Sequence, residues 1–152
     1  MSPKKGIEPD GYFDYTVYPL EGIWDINKKA KKNFNGTLNK DDLVFKLMIR
    51  QPDFVDEIFA QKILEATKEK KPHKLLNKIN FEKICDGYCI QMMHLGSYDN
   101  EPESFKMMED FAISKKLIRR SKVHREIYLS DARKVAPEKL KTVLRFQVIN
   151  SD

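Results

Sequence analysis

The sequence predicts an α+β fold: an antiparallel sheet with helices on one side, built from tandem strand-helix-strand-strand modules of which the first is incomplete. Three observations predict it. Several stretches alternate side chains with the period of two that a half-covered strand requires. Two stretches, 53–70 and 102–116, carry apolar side chains at helical spacing. Finally, the second half reads strand, helix, strand, strand, and the first half ends on the same pair of strands.

Residues 1–11 hold two prolines and two glycines and form a loose lead-in. The stretch 12–24, rich in Tyr, Val and Thr, reads as a first long strand. Pro19 and Gly22 interrupt it, which places it at an edge or bends it. A polar segment, 25–42, then suits a hairpin connection. Residues 43–50 alternate cleanly, with Leu43, Phe45, Leu47 and Ile49 expected to face inward. Gln51-Pro52-Asp53 stops this strand. Asp53 reads as the N-cap of a helix reaching about Lys70, with Asp56 and Glu57 complementing the helix dipole and Pro72 ending it.

The stretch 81–95 reads as a strand with a turn or bulge at Asp86-Gly87; beyond it Ile90, Met92 and His94 share one face. A loop, Gly96-Ser97-Tyr98-Asp99-Asn100, leads into a helix with Pro102 in its first turn. Phe105, Met108, Phe111 and Ala112 are expected to face the sheet, and Lys115-Lys116 sit where the dipole favours cations. The central strand, 123–130, follows, then a turn around Pro137 and a last strand over 142–149. On the central strand His124, Glu126, Tyr128 and Ser130 share one face. A carboxylate beside a histidine and a phenol reads either as a solvated sheet surface or as the floor of an aromatic pocket.

With 152 residues, 41% hydrophobic and 34% charged, the chain fits one globular domain. No apolar run approaches the roughly 20 residues of a membrane helix, and the basic start lacks the apolar stretch of a secretory signal. The expected partners therefore include no membrane, and the expected location is the cytoplasm. The net charge of +5 comes from basic runs at 28–32, 68–74 and 115–122. They are separated and carry no recognition helix, so no nucleic acid is expected as a partner. Cys85 and Cys89 would lie roughly 13 Å apart on an extended chain, too far for a disulfide without a turn between them. His94 beside them lacks the paired spacing of a zinc site. No metal and no cofactor are expected.

Four blocks carry a resemblance: Val17-Tyr18-Pro19-Leu20-Glu21-Gly22-Ile23-Trp24, Leu47-Met48-Ile49-Arg50-Gln51-Pro52, Met93-His94-Leu95-Gly96-Ser97-Tyr98-Asp99, and His124-Arg125-Glu126-Ile127-Tyr128-Leu129-Ser130-Asp131. In this order they resemble the GyrI-like small-molecule-binding domain, in the stand-alone branch without a DNA-binding helix-turn-helix. The resemblance implies one domain over 1–152: 12–50 as the remnant of a first module, 53–71 as a connecting helix, and 81–149 as the second module. Members usually carry a further strand and helix ahead of the Tyr12 strand. Their lack would leave an unpaired sheet edge that invites a homodimer.

The resemblance further implies an aromatic or drug-like small molecule held in a groove between modules. Some stand-alone members hydrolyse cyclopropanoid genotoxins related to yatakemycin, and so detoxify them. By this resemblance Glu126 is the groove carboxylate and catalytic base, and Tyr98 a second catalytic group. Trp24, Tyr18 and Tyr128 line or border the groove, and Met92 and His94 join them as ligand contacts. The residues themselves leave alternatives open. Met92 also reads as core filler, His94 as a hydrogen-bonded strand histidine, and Trp24 as a core anchor. The alternative function is a non-catalytic module that senses or sequesters aromatic or cationic compounds.

Overall fold

A computed structural model of the chain describes residues 6–32 and 40–151. Among them six strands form an antiparallel sheet: β1 (Leu20–Ile26), β2 (Leu43–Ile49), β3 (Cys89–Leu95), β4 (Leu117–Arg119), β5 (His124–Tyr128) and β6 (Lys141–Asn150). The helices are α1 (Lys28–Lys32), α2 (Glu57–Lys70) and α3 (Glu101–Ser114). The strand order is β2-β1-β5-β6-β3, with β4 pairing the last residues of β6. The α+β class and the antiparallel sheet are as the alternation predicts.

The chain divides into two compact units. One contains the sheet and α3. Its register fixes which side chains share a face: Gly22 lies opposite Glu126, Trp24 opposite His124, and Leu20 opposite Tyr128. Continuing across β6 and β3, Glu126 pairs with Leu144 and Leu144 with Met92. α3 covers the β6–β3 part of this face. Met108 and Ala112 bury against Leu117, Leu144, Phe146 and Val148, with Ile90, Met92 and Phe105 packed around them. The β1–β2 part is bare: Phe45 is 55% and Leu47 54% exposed, with Leu20 and Ile49 exposed beside them. The expectation that the 43–50 strand turns these residues inward therefore fails, because among the described residues no helix of this unit reaches them.

The opposite face is held by charge. Arg125 donates to Glu21 and, at 2.8 Å, to Asp86, while Arg145 donates to Asp86 at 2.6 Å and to Gln91. Burial alone would raise the Asp86 carboxyl. The hydrogen bond from Arg145 and the charge and hydrogen bond of Arg125 outweigh it and hold the group below the usual carboxylate range. A depressed carboxyl adds stability above its unfolded value and loses it as pH falls through the folded one. We therefore expect Asp86→Asn to cost about 1–2 kcal/mol at neutral pH. The parent and variant melting curves should converge as pH drops below about 4, whereas a constant gap would exclude the ion network as the source.

The second unit combines residues up to Tyr18 with Gln51–Cys85. The rings of Tyr12, Phe13 and Tyr15 meet that of Phe54 edge-on at 5.3, 5.2 and 5.8 Å. α2 starts later than the sequence suggests. Its cap is Asp56, which accepts from Phe59 N at 2.7 Å, and not Asp53. Pro52 and Val55 instead close a turn that holds Asp53 outside the helix. A basin of about 370 Å³ in this unit is lined by Lys68, Pro72, His73, Lys74 and Asn77.

Three further boundaries differ from expectation. The first strand begins at Leu20, not Tyr12, since Leu20 pairs with Ile49, the last residue of β2, and the preceding Pro19 has no N–H to donate. The 81–95 strand starts at Cys89. Gly87 takes a left-handed turn before it (φ +63°), and Asp86 is held by the arginines and by Gln147 instead of a ladder. β4, inside the basic run 115–122, is a strand that composition concealed. On α3, Phe111 is exposed, because the buried stripe runs through Met108 and Ala112. Both cysteines are free thiols.

Candidate functional site

The site grows from the alternation of β5. A five-residue strand with both neighbours paired sends His124, Glu126 and Tyr128 to the face that α3 partly roofs. Glu126 is only 6% exposed. Tyr128 donates its hydroxyl to Glu126 Oε2 at 2.7 Å, and His124 Nε2 lies 2.8 Å from Oε1. Trp24 Nε1 donates to the Tyr128 hydroxyl at 2.7 Å. An indole, a phenol and a carboxylate thus form a continuous relay across β1 and β5. Burial first, then the hydrogen bond to Glu126 and its charge, push the Tyr128 phenol well above its usual range, so it stays a donor.

Ring edges frame the carboxylate. Tyr98 meets Tyr128 edge-on at 6.1 Å, Phe105 meets His124 at 4.7 Å, and Phe45 lies 5.1 Å from Trp24. Burial and the negative charges of Glu101, Glu126 and Asp131 raise the Tyr98 phenol too. Arg119 stacks over Phe105 at 4.9 Å while its guanidinium donates to Glu109, which keeps that cation engaged at the edge of the roof.

A second carboxyl joins the first. Glu101, in the first turn of α3, is raised to about 8 by burial first and then by its interaction with Glu126. At neutral pH it holds a proton. Its Oε1 is buried and, among the described residues, accepts no hydrogen bond. The sequence offered one signal for Glu101, an acid in a helical first turn, and that signal ordinarily marks a dipole partner.

The residues expected at the site separate into two groups. Glu126, Tyr128, Trp24 and Tyr98 come together. Met92 lies two strands from Glu126, packed on the core under α3. His94 is buried with both ring nitrogens engaged: Nδ1 at 2.8 Å from Ser104 Oγ and Nε2 at 2.9 Å from the Ser97 carbonyl. Tyr18 belongs to the other unit, where its ring lies 6.1 Å from that of Tyr15. His124 stands beside Glu126 as the alternation of the central strand suggested, whereas Glu101, Phe45 and Phe105 are residues of the candidate site that sequence reasoning did not assign. Among the described residues no group of three His, Cys, Asp or Glu side chains could hold a metal ion. No helix among the described residues is long and apolar enough to cross a membrane.

A family model described as a GyrI-like small molecule binding domain matches residues 5–149. Among solved structures, a hydrolase from Listeria innocua is 33% identical, with 93% of this chain and 68% of that chain covered and a TM-score of 0.79. An uncharacterized conserved protein from Listeria innocua is also 33% identical, over 97% of this chain and 70% of that one, with a TM-score of 0.80. No curated protein matches the chain.

Proposed function

Since the chain belongs to the GyrI-like small molecule binding domain family, we propose that it takes a flat aromatic compound against Glu126 and adds water to the strained ring of a cyclopropanoid genotoxin. The observation that carries this reading is a buried carboxylate hydrogen-bonded to a phenol and an imidazole and framed by rings. Opening the cyclopropane by water places negative charge on the conjugated dienone oxygen of such a substrate. Glu126 removes a proton from the attacking water, and the Tyr98 hydroxyl donates to the developing phenolate. The walls of Trp24, Tyr98 and Phe105 stack the substrate and exclude bulk water. The likeness to a hydrolase from Listeria innocua supports this direction.

A second reading has its own observation. Both oxygens of Glu126 already take part in hydrogen bonds, an arrangement that suits a fixed counter-charge for a bound cation better than a free base. In that reading the domain binds or senses aromatic or cationic compounds without chemistry. Mass spectrometry separates the two. Incubation of a cyclopropanoid with the protein should yield the water adduct, at a rate proportional to protein concentration. Unchanged mass together with saturable quenching of Trp24 fluorescence would leave binding alone.

A further inference from the structure

Between Glu65 and Lys78 the chain carries five lysines against two glutamates. α2 ends at Lys70, Pro72 keeps it from continuing, and one short 3₁₀ turn follows over Lys74–Lys78. This break gathers Lys68, Pro72, His73, Lys74 and Asn77 around the basin of about 370 Å³. None of the five is acidic, and most of what they offer is hydrogen-bond donors. The His73 side chain caps the turn, with Nδ1 accepting from Leu75 N at 3.2 Å. A ring nitrogen that accepts carries no proton, so the neutral ring holds its proton on Nε2 and donates from there. Lys74 and Asn77 have no side-chain partner among the described residues. Lys68 meets Glu65 at 3.0 Å, but that side chain is 53% exposed and shared with Gln61. Water therefore screens the pair, and the Lys68 ammonium keeps protons to give. The last carbonyls of α2 bring about half a negative charge to this end of the helix. Two whole ammonium charges in the lining outweigh it.

We propose that this basin is a second ligand site, which takes the phosphate group of a small, non-aromatic phosphomonoester such as a sugar phosphate. Lysine ammoniums hold a phosphate as point charges, whereas a carboxylate is met best by the fork of an arginine, and the lining contains none. His73 Nε2 and the Asn77 amide add directed donors to the two charges. The volume falls inside the range of small-molecule sites, about 300–1,000 Å³, so the basin has room for more than the phosphate itself. Among the described residues no phenyl, phenol or indole ring lines it, so a nucleotide base finds no broad stacking surface. Pro72 gives an aliphatic wall in its place, which suits the carbon skeleton of a sugar or polyol. Binding makes and breaks no covalent bond. The basin lies wholly in the unit that ends at Cys85 and shares no residue with the Glu126 site. It therefore stands whether that site hydrolyses its ligand or only binds it.

The test is a titration of the full chain followed by two-dimensional amide NMR, with glucose 6-phosphate, glycerol 3-phosphate, inorganic phosphate, glucose and AMP as probes. A sugar or polyol phosphate should give saturable shifts centred on Lys68, His73, Lys74 and Asn77. It should bind more tightly than inorganic phosphate, glucose should give no shifts there, and AMP should gain nothing from its base. Lys74→Gln should weaken the sugar phosphate by about tenfold, since one charge-assisted contact is lost. Lys74 is exposed, and the signals away from the basin report that the variant keeps its fold. Lys62→Gln removes a charge from an exposed position of α2 outside the basin and should change affinity by less than about twofold. Shifts that fail to saturate, or that spread over lysines elsewhere, overturn the site and leave only a screened basic surface. Equal weakening in Lys62→Gln and Lys74→Gln does the same. A sugar or polyol phosphate that binds no more tightly than inorganic phosphate, or less tightly than AMP, overturns the ligand class.

Discussion

Glu126→Gln is expected to lower cyclopropanoid turnover by about 10²–10⁴-fold while the protein still takes up the ligand. The amide matches the carboxylate in shape but cannot accept a proton from water. It also meets two donors, the Tyr128 hydroxyl and His124 Nε2, with only one acceptor oxygen, so one of them faces an N–H. Some loss of stability should therefore accompany the loss of rate, and the variant is compared at a temperature where both proteins are folded. Single-turnover rates followed by mass separate the outcomes. Parental turnover in the variant would remove Glu126 from the chemistry. Loss of uptake for cations only, with neutral ligands retained, would assign it to charge recognition instead.

The second large effect is expected from one methyl group. Gly22 lies opposite Glu126 on β1, and a Cβ there would approach Trp24 Nε1 to 2.7 Å and the Tyr128 hydroxyl to 3.1 Å. Real Cβ atoms do not approach a ring nitrogen so closely, and β1 cannot retreat because both of its edges are paired. Gly22→Ala therefore pushes the indole away and breaks its hydrogen bond to Tyr128. Overpacking of this kind costs about 1–3 kcal/mol. Ligand affinity should fall by about tenfold or more, corresponding to roughly 1.4 kcal/mol, because one wall and the far end of the relay move together. Trp24 is the sole tryptophan of the sequence, so its emission reports the displacement directly. An unchanged spectrum with unchanged affinity would show that the ring does not form part of the binding surface.

Much of the sheet was legible because strand alternation is local information. The alternation of 123–130 put His124, Glu126 and Tyr128 on one face, and the structure keeps them there. α3 was legible from Pro102 and from the Met108–Ala112 spacing. What sequence could not carry was context. A strand ends where its partner ends, so the aromatic stretch before Leu20 reads as extended although, among the described residues, the sheet ladder of β1 starts only at Leu20. Phe45 and Leu47 alternate as a buried face would, yet burial depends on a helix lying over them. Glu101 is the sharpest case: its neighbours in sequence describe an ordinary helix start, and only the packing of α3 on the sheet brings it to Glu126. β4 was hidden by its charged surroundings, since a three-residue strand carries too little pattern to stand out from a basic run.

The imidazole of His94 takes on a mechanical meaning once its neighbours along the chain are considered. One nitrogen holds the carbonyl just before Tyr98, and the other meets a hydroxyl one helical turn after Glu101. It works as a hinge pin through a bend, setting the distance between the two banks on which the phenol and the second acid stand. Loosening that pin would let both groups drift in step, although it touches neither. The placement of both groups is thus maintained from behind, by a ring no ligand needs to meet.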